Sequence, residues 1–382
     1  MNGRVAFTLA TIGAILAFAV VVFGAFVRLS NAGLSCPDWP TCYGEVTWPH
    51  HAGEVARADE AFPERPFESH KAWREQVHRM LAGTLGTLVL ALAITAAWRR
   101  RAAVAAIVVA AIAAALGIAA YMSGWFATAA GLSALAIAIP LVVAARIGKG
   151  PVPRTAIVVL SVIVFQAMLG MWTVTWLLKP IVVMGHLLGG LTTFALLAFV
   201  ALRLGHWAAP LAGLRTVRPW LLAALAVLAI QIALGGWTSA NYAALICGFD
   251  FPSCLGHWWP PVDFHQAFIL WRGIGVDYEG GVLDGPARAA IQETHRIGAL
   301  VTFLVVAAAA IRSWRAGARA GAAALAVLLV AQVSLGIGNV KLGLPLPVAT
   351  AHNGVAALLL AALVYLLVRS RAVCRPFPDS IP

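Results

Sequence analysis

Charged residues are scarce in this sequence. Asp, Glu, Lys and Arg make up 11% of the 382 residues, whereas a soluble domain carries roughly 25%. Hydrophobic residues reach 61%, the mean hydropathy is +0.87, and apolar runs of about 20 residues recur along the chain. This composition excludes an ordinary soluble domain. Because a bilayer admits only segments whose backbone groups are paired, we predict an all-α polytopic membrane protein.

Acidic residues are missing from one set of loops. Every Asp and Glu except Asp379 lies in the segments between the short stretches where Lys and Arg cluster. These basic segments are residues 99–101, 146–154, 203–218, 312–319 and 369–375. The positive-inside rule makes them cytoplasmic, and both termini with them. The net charge of +12 therefore sets the topology, and we expect no nucleic-acid partner.

The first apolar run, Val5 to Val27, has no small-residue cleavage site and is too long for a signal-peptide core. We expect it to be retained as the first of about ten transmembrane helices. The others are expected near residues 75–98, 155–176, 181–204, 220–238, 291–312, 321–338 and 348–368, with two more between 102 and 145. The stretch 102–146 reads as a helical hairpin with no histidine, acid or cysteine, so no chemistry is assigned to it.

Cysteine is also rare, with five residues in the chain. Cys36 and Cys42 share one acidic outer loop, and Cys247 and Cys254 share another. Close pairs in an oxidising compartment predict two disulfides, with Cys374 left as a free thiol on the cytoplasmic tail. A dithiol relay is the alternative, although Cys36 and Cys42 do not form a Cys-x-x-Cys motif.

Four histidines stand near the starts of four apolar runs and are arranged as a repeat. Glu75-Gln76-Val77-His78-Arg79 has a near copy in Glu293-Thr294-His295-Arg296. A Gln-x-x-Leu-Gly motif occurs at 166–170, 231–235 and 332–336, and the first and last copies lie 20 residues before His186 and His352. We predict two pseudo-symmetric, parallel four-helix-bundle halves, residues 1–215 and 216–382, with the hairpin inserted in the first.

Two histidines on facing helices can reach one iron from opposite sides, and haem iron accepts such axial ligands within an apolar bundle. Each half would then hold one porphyrin near the outer surface, with Arg79 and Arg296 available to pair with propionates. The simpler interpretation is a histidine that forms hydrogen bonds at a helix end. A non-haem metal is disfavoured, because no His-x-x-Glu or carboxylate-rich ligand set is present.

Glu75 precedes His78 by three residues and shares its helical face. It is either an acid that favours the helix macrodipole or forms an ion pair, or a carboxylate beside a porphyrin edge that stabilises a cation or moves a proton. Glu293 precedes His295 by two residues, so we expect it to point elsewhere. The halves would then differ chemically.

The segment Arg28-Leu29-Ser30-Asn31-Ala32-Gly33-Leu34-Ser35-Cys36-Pro37-Asp38-Trp39-Pro40 is followed by Glu75-x-x-His78-Arg79, His186, His295-Arg296 and His352. Together these residues resemble the haem A synthase family (CtaA type) over most of the chain. The sequence departs from that family at 102–145, since eight helices are usual and two more are predicted here.

The resemblance implies oxidation of a methyl group of haem O to the formyl group of haem A, by successive hydroxylations and loss of water, for use in cytochrome oxidase. It implies a haem b cofactor on His295 and His352, haem O on His78 and His186, and Glu75 as the essential acid. The cysteine pairs Cys36–Cys42 and Cys247–Cys254 match the family's loop pairs.

The implied partners and surroundings follow from the same resemblance. They are membrane lipid, a haem O synthase, cytochrome oxidase assembly factors, an electron donor of unspecified kind and a possible second copy of the chain. The expected location is the bacterial inner membrane, with the sites near the periplasmic side.

Two other functions fit the four histidines. A di-haem b electron carrier that oxidises quinol would hold two permanent haems and give Glu75 no role. A haem transporter or chaperone would exchange haem and form no formyl product. Glu75 lies three residues before His78, and the second half has no acid three residues before His295. This difference favours the enzyme over the carrier, because two symmetric haem sites for electron transfer would not need an acid in one half alone.

Overall fold

The computed structural model describes residues 3–148 and 150–371, and these residues contain twelve α-helices and no strand. The helices are α1 (Gly3–Leu29), α2 (Ala52–Ala61), α3 (Ser69–Ala97), α4 (Arg101–Met122), α5 (Phe126–Arg146), α6 (Pro151–Thr175), α7 (Pro180–Leu204), α8 (Leu214–Ala240), α9 (Phe264–Ala267), α10 (Gly285–Arg315), α11 (Arg319–Lys341) and α12 (Leu346–Arg369). All except α2 and α9 are long and apolar enough to cross a membrane. The predicted count of ten spans is confirmed, and Cys374 lies outside the described residues.

Two of the histidine helices begin earlier than predicted. α3 begins at Ser69 and α10 at Gly285, each six residues before the predicted start. Asp284 explains the second case, because its side chain accepts a hydrogen bond from the backbone of Ala287 (2.9 Å) and caps the helix. His78 and His295 therefore lie more than two turns inside their helices, although they stand near the starts of the apolar runs.

The ten long helices form two groups of four plus a hairpin. In the first group α1 packs against α3 and α7, and α6 packs against the same two helices. In the second group α10 packs against α8 and α11, and α12 packs against the same two helices. The groups meet where α1 contacts α12, where α7 contacts α8 and where α7 contacts α12. Exchanging α1 with α8 and α7 with α12 reproduces this interface, as expected for a parallel repeat.

Small residues allow the long helices to approach closely. Ala6, Ala10, Gly13 and Ala17 recur every three or four residues along α1 and are buried. A Cβ on Gly13 would lie 3.5 Å from the side chain of Leu197 in α7. Packing of this kind replaces the hydrophobic effect as the main attraction between helices in a bilayer.

The outer loops of the two halves are tied together. Arg65 of the first loop donates to Asp277 (2.5 Å) and Glu279 (2.6 Å) of the second. Between these acids Tyr278 is 1% exposed, and its backbone N–H donates to the carbonyl of Leu177 between α6 and α7 (3.1 Å). The second loop thus covers part of the first half.

The predicted hairpin is formed by α4 and α5, which pack against each other and against α3 and α6 respectively. The buried hydroxyl of Ser161 in α6 donates to the carbonyl of Ile137 in α5 (2.7 Å). At the outer turn, Tyr121 packs edge-on against Trp39 of the first cysteine loop, with ring centroids 5.9 Å apart. In the second loop the aromatic residue before the corresponding proline is Phe251, and Arg296 lies over its ring. The hairpin therefore supports one cysteine loop and not the other.

Replacing Tyr121 with Ala should loosen the first cysteine loop, because an edge-to-face aromatic pair contributes about 0.5–1.5 kcal/mol beyond its buried area. We expect a reductant to open Cys36–Cys42 severalfold faster, measured by alkylation and mass spectrometry. Cys247–Cys254 in the same molecule is the internal control and should keep its rate. Tyr121→Phe should behave as the unaltered chain. Equal acceleration of both disulfides would contradict a local support.

Candidate functional site

His78 of α3 and His186 of α7 face each other in the first half. Their ring centroids are 6.4 Å apart and their planes are inclined by 74°. Metal–imidazole bonds of about 2.0–2.1 Å place two rings on opposite sides of one ion with centroids roughly 6 Å apart once the ring radius is added. The observed spacing therefore suits two ligands of a single iron.

His295 of α10 and His352 of α12 form the corresponding pair in the second half, close enough for their imidazoles to interact electrostatically. The structure thus groups the four predicted histidines two by two, one pair within each four-helix group. No pair is shared between the halves.

Each imidazole lies against a glycine of a neighbouring helix. The pairs are Gly24 with His78, Gly170 with His186, Gly235 with His295 and Gly336 with His352. A Cβ on Gly24 would fall 2.7 Å from Nε2 of its histidine, and on the other three glycines it would fall 3.1, 3.1 and 3.2 Å from Cε1. Side chains larger than hydrogen would displace the rings, so the glycines make room for the imidazoles.

Three of the four histidines are also held by a glutamine four residues before the glycine. Nε2 of Gln166 lies 2.9 Å from Nδ1 of His186, and Nε2 of Gln231 lies 3.0 Å from Nδ1 of His295. Nε2 of Gln332 lies 3.2 Å from Nε2 of His352. The repeated Gln-x-x-Leu-Gly motif therefore positions a histidine of a neighbouring helix: its glycine leaves space for the ring and its glutamine contacts the ring. The sequence analysis found the repeat but assigned it no role.

His78 is the exception among the four. The motif position in α1 holds Val20 instead of glutamine, and the histidine interacts with the backbone of Val20. Only Gly24 remains of the motif there. At His78 the backbone of Val20 thus takes the place of the side-chain amide that contacts the ring in the other three sites.

The residues around the rings fit iron ligation. Oε1 of Gln166 and of Gln231 is buried and has no hydrogen-bond partner, and Nδ1 of His352 is likewise buried and unpaired. Iron bound to one ring nitrogen leaves the proton on the other, and that proton needs an acceptor. Nε2 of Gln166 and of Gln231 faces Nδ1 of its histidine, so each amide would have to turn over before its unpaired oxygen accepted that proton. Two such pairs in apolar four-helix groups fit two haem groups.

Glu75 is 5% exposed and joins α3 to the first cysteine loop. Oε1 accepts a hydrogen bond from Nη2 of Arg79 (2.6 Å), and Oε2 accepts one from the backbone N–H of Cys36 (2.9 Å). The hydroxyl of Ser35 lies 3.0 Å from Oε2 and 2.7 Å from the carbonyl of Ala32, and its single proton serves one of them at a time. The carboxylate is thereby held in one position, one helical turn from His78.

Glu293 has a similar but weaker setting, which corrects the prediction that it points elsewhere. Its Oε1 lies 3.1 Å from Nη1 of Arg296 and 3.8 Å from Sγ of Cys247. Glu293 is one residue closer to its histidine than Glu75 is to His78, but its side chain still lies on the side of α10 that faces the cysteine loop. The two halves differ in how the acid is bound, because within the described residues Glu293 accepts no hydrogen bond from the backbone of its loop.

Arg79 and Arg296 are both used by the cysteine loops. Arg79 donates to the carbonyls of Asp38 (2.8 Å), Thr41 (2.6 Å) and Cys36 (3.1 Å). Arg296 donates to the carbonyls of three residues of its own loop, namely Asp250 (2.9 Å), Pro252 (3.2 Å) and Ser253 (2.9 Å). Their pairing with propionates stays a prediction, and in the structure they hold the loops onto the histidine helices.

The two loops are closed by disulfides as predicted, Cys36–Cys42 and Cys247–Cys254. Asp38 shapes the first loop by accepting from the backbone N–H of Tyr43 (2.6 Å) and of Gly44 (2.9 Å). Asp250 accepts likewise from Gly256 (2.8 Å) in the second. Each loop is thus compact and is fastened by an arginine to the helix that carries one histidine of the pair.

Comparison with known proteins gives a consistent result. The family model for COX15-CtaA, described as cytochrome oxidase assembly protein, matches residues 7–145 and 125–364. A protein of Shewanella oneidensis named "Heme A synthase" is 39% identical over 348 residues, covering 90% of each chain. Proteins of the same name from Rhizorhabdus wittichii and Caulobacter vibrioides are 29% and 25% identical, with 90% and 91% of their own lengths covered.

Gly24→Ala should destabilise the first half by about 1–3 kcal/mol, the usual cost of forcing an extra methyl group into a packed interior. The added Cβ would strike the ring of His78. Gly83→Ala on α3 is the matched control, since nothing lies within 4 Å of its Cβ position. It should raise stability by roughly 0.5–1 kcal/mol. Thermal unfolding of both variants measures the difference, and similar shifts would show that Gly24 is not needed for space.

Proposed function

Since the chain belongs to the COX15-CtaA family of cytochrome oxidase assembly proteins, we propose that it is a haem A synthase. It would be a multi-pass membrane oxidoreductase that converts a methyl group of haem O to a formyl group. The observation that carries this proposal is one buried carboxylate, Glu75, tied to a loop backbone beside one histidine pair. The second half has the same histidines without that arrangement.

The first half, residues 1–215, is proposed to receive haem O between His78 and His186. The second half, residues 216–382, is proposed to hold haem b between His295 and His352. The glutamines support this division. Both histidines of the second half contact a glutamine amide, whereas His78 interacts with the backbone of Val20, and we assign this difference between the pairs to the difference between cofactor and substrate.

Glu75 is proposed to stabilise positive charge that develops at the reacting methyl carbon. Its position is set by Arg79 and by the N–H of Cys36, so little reorganisation is needed when charge appears. Each of two hydroxylations would replace a C–H bond of the methyl group with a C–O bond, with an oxygen donor and a two-electron acceptor supplied from outside the chain, and the resulting gem-diol would lose water to leave the formyl group. The compact loop closed by Cys36–Cys42 would exclude bulk water from this position.

Haem b supplies electron-transfer chemistry when bound, and the chain's own residues hold it. His295 and His352 would hold its iron, and Gln231 would accept the imidazole proton of His295 with its amide turned over, because Nε2 faces Nδ1 in the structure. Arg296 is the candidate partner for a propionate.

The cellular context follows from the same proposal. Haem A serves cytochrome oxidase, so a haem O synthase would supply the substrate and oxidase assembly factors would accept the product. We place the enzyme in the bacterial inner membrane, with both termini cytoplasmic and both sites near the opposite face.

Glu75→Gln should abolish haem A formation in cells that make haem O, because the amide keeps the shape but lacks the charge. Mass spectrometry of extracted haems should show haem O in place of haem A. Glu293→Gln is the matched control and should retain at least a third of the product. Haem O unchanged by the unaltered chain, together with two tightly held haem b groups, would instead support a di-haem electron carrier.

His352→Ala and His295→Ala should remove haem b from the purified protein, measured by its visible absorption after extraction. His186→Ala and His78→Ala should retain it, because their pair lies in the other half. Loss of haem b from all four variants alike would argue against the division of labour, and an exchangeable haem with no formyl product would support a transporter.

A further inference from the structure

Lys179, the residue before α7, is buried without a counter-charge. It is 1% exposed, and its Nζ has no hydrogen-bond partner. The ammonium lies 3.3 Å from the ring centroid of Trp271 and 5.5 Å from that of Trp176. Aromatic faces attract a cation, but they satisfy none of its three N–H donors. Burial lowers the pKa of Lys179, as expected for an ammonium that lacks an anion.

A second cation lines the same cleft. The cleft lies between the start of α7, the end of α8 at Trp237 and Asn241, and residues 269–272 of the second outer loop. Arg272 forms part of its wall and donates to the carbonyl of Gln266 (2.6 Å). Among the described residues no carboxylate pairs with Lys179 or Arg272, and the loop's own Asp277 and Glu279 are taken by Arg65.

This cleft is separate from the histidine pair of the first half. His186 faces Gly170 of α6 and the ring of His78 in α3, whereas the cleft is on the α8 side of α7. His186 and Lys179 therefore lie on different sides of α7 and do not share a cavity.

The fold itself does not require the lysine. The pseudo-symmetric groove between α1 and α12 is apolar, with a volume of about 410 Å³, and is lined by residues such as Val22, Phe26 and Leu346. Lys179 lies seven residues before His186, and the residue seven before His352 is Pro345. One groove thus carries two cations and the other none.

We propose that the α7–α8 cleft binds a phosphate-type oxyanion, supplied by a phospholipid headgroup or by free phosphate. Lysine and arginine are the usual phosphate ligands, and the N-terminal end of α7 adds a favourable dipole. Trp271 is 61% exposed, as is common for tryptophan at headgroup depth. The cleft is closed to a water molecule as it stands, so the exposed segment 269–272 must move outward to admit the anion.

The test is the thermal unfolding of the full-length protein in detergent, with inorganic phosphate and with dioctanoyl phosphatidylglycerol. We expect a saturable rise in Tm of roughly 5 °C. Dioctanoylglycerol, which lacks phosphate, should give no rise. Lys179→Met should be at least as stable as the unaltered chain without ligand, because it removes a buried charge, and should lose the response. Arg272→Gln should weaken the response at least tenfold in ligand concentration.

Lys341→Gln is the matched control, because it removes an exposed lysine at the end of α11 that is far from the cleft in sequence, and should respond like the unaltered chain. A rise with the phospholipid alone identifies a headgroup site, and a rise with both ligands identifies a site for free oxyanion. No rise with either ligand, or an unchanged response in Lys179→Met, overturns the proposal. Since no assay here measures haem oxidation, its failure would leave the proposed haem A synthase activity untouched.

Discussion

An imidazole within an apolar helix bundle needs space and a polar partner, and most of this molecule is arranged to provide them. Water cannot satisfy a ring nitrogen at that depth, and an unsatisfied polar group there is costly. A glycine on the neighbouring helix supplies space for each of the four rings. A glutamine one turn earlier supplies the partner in three cases. The repeated motif therefore meets both needs at three of the four histidines, and at His78 the backbone of Val20 takes the place of the glutamine.

Repetition of this unit explains the architecture, and departures from it explain the proposed division of function. His78 lacks the glutamine, and Glu75 binds the backbone of its loop while Glu293 does not. The hairpin supports only the first loop, through Tyr121 and Trp39. All three departures affect the same histidine pair. Under the proposed function, a carboxylate held in place beside this pair and a supported loop are what the chemistry at the first pair would require.

Much of the fold and of the histidine arrangement could be predicted from the sequence, because membrane helices are recognisable as long apolar runs. Apolar length gives the spans, and the spacing of motifs gives the repeat and the histidines. The starts of α3 and α10 were missed because polar helical turns extend beyond the apolar run, where a cap such as Asp284 decides the boundary. Glu293 was misplaced because the helical face alone does not tell where a long side chain meets a loop. The role of Gly24 was hidden, since only the glycine of the motif survives in α1.

The two grooves at the interface between the halves also depart from the repeat. A parallel repeat produces two equivalent grooves, and neither is lined by a histidine. The grooves were thus free to diverge, and they did: one is open and apolar, while the other is covered by a loop and lined by Lys179 and Arg272. That loop is also fastened to the first half by Arg65. Any ligand that moves residues 269–272 would therefore act on the contact between the second half and the first.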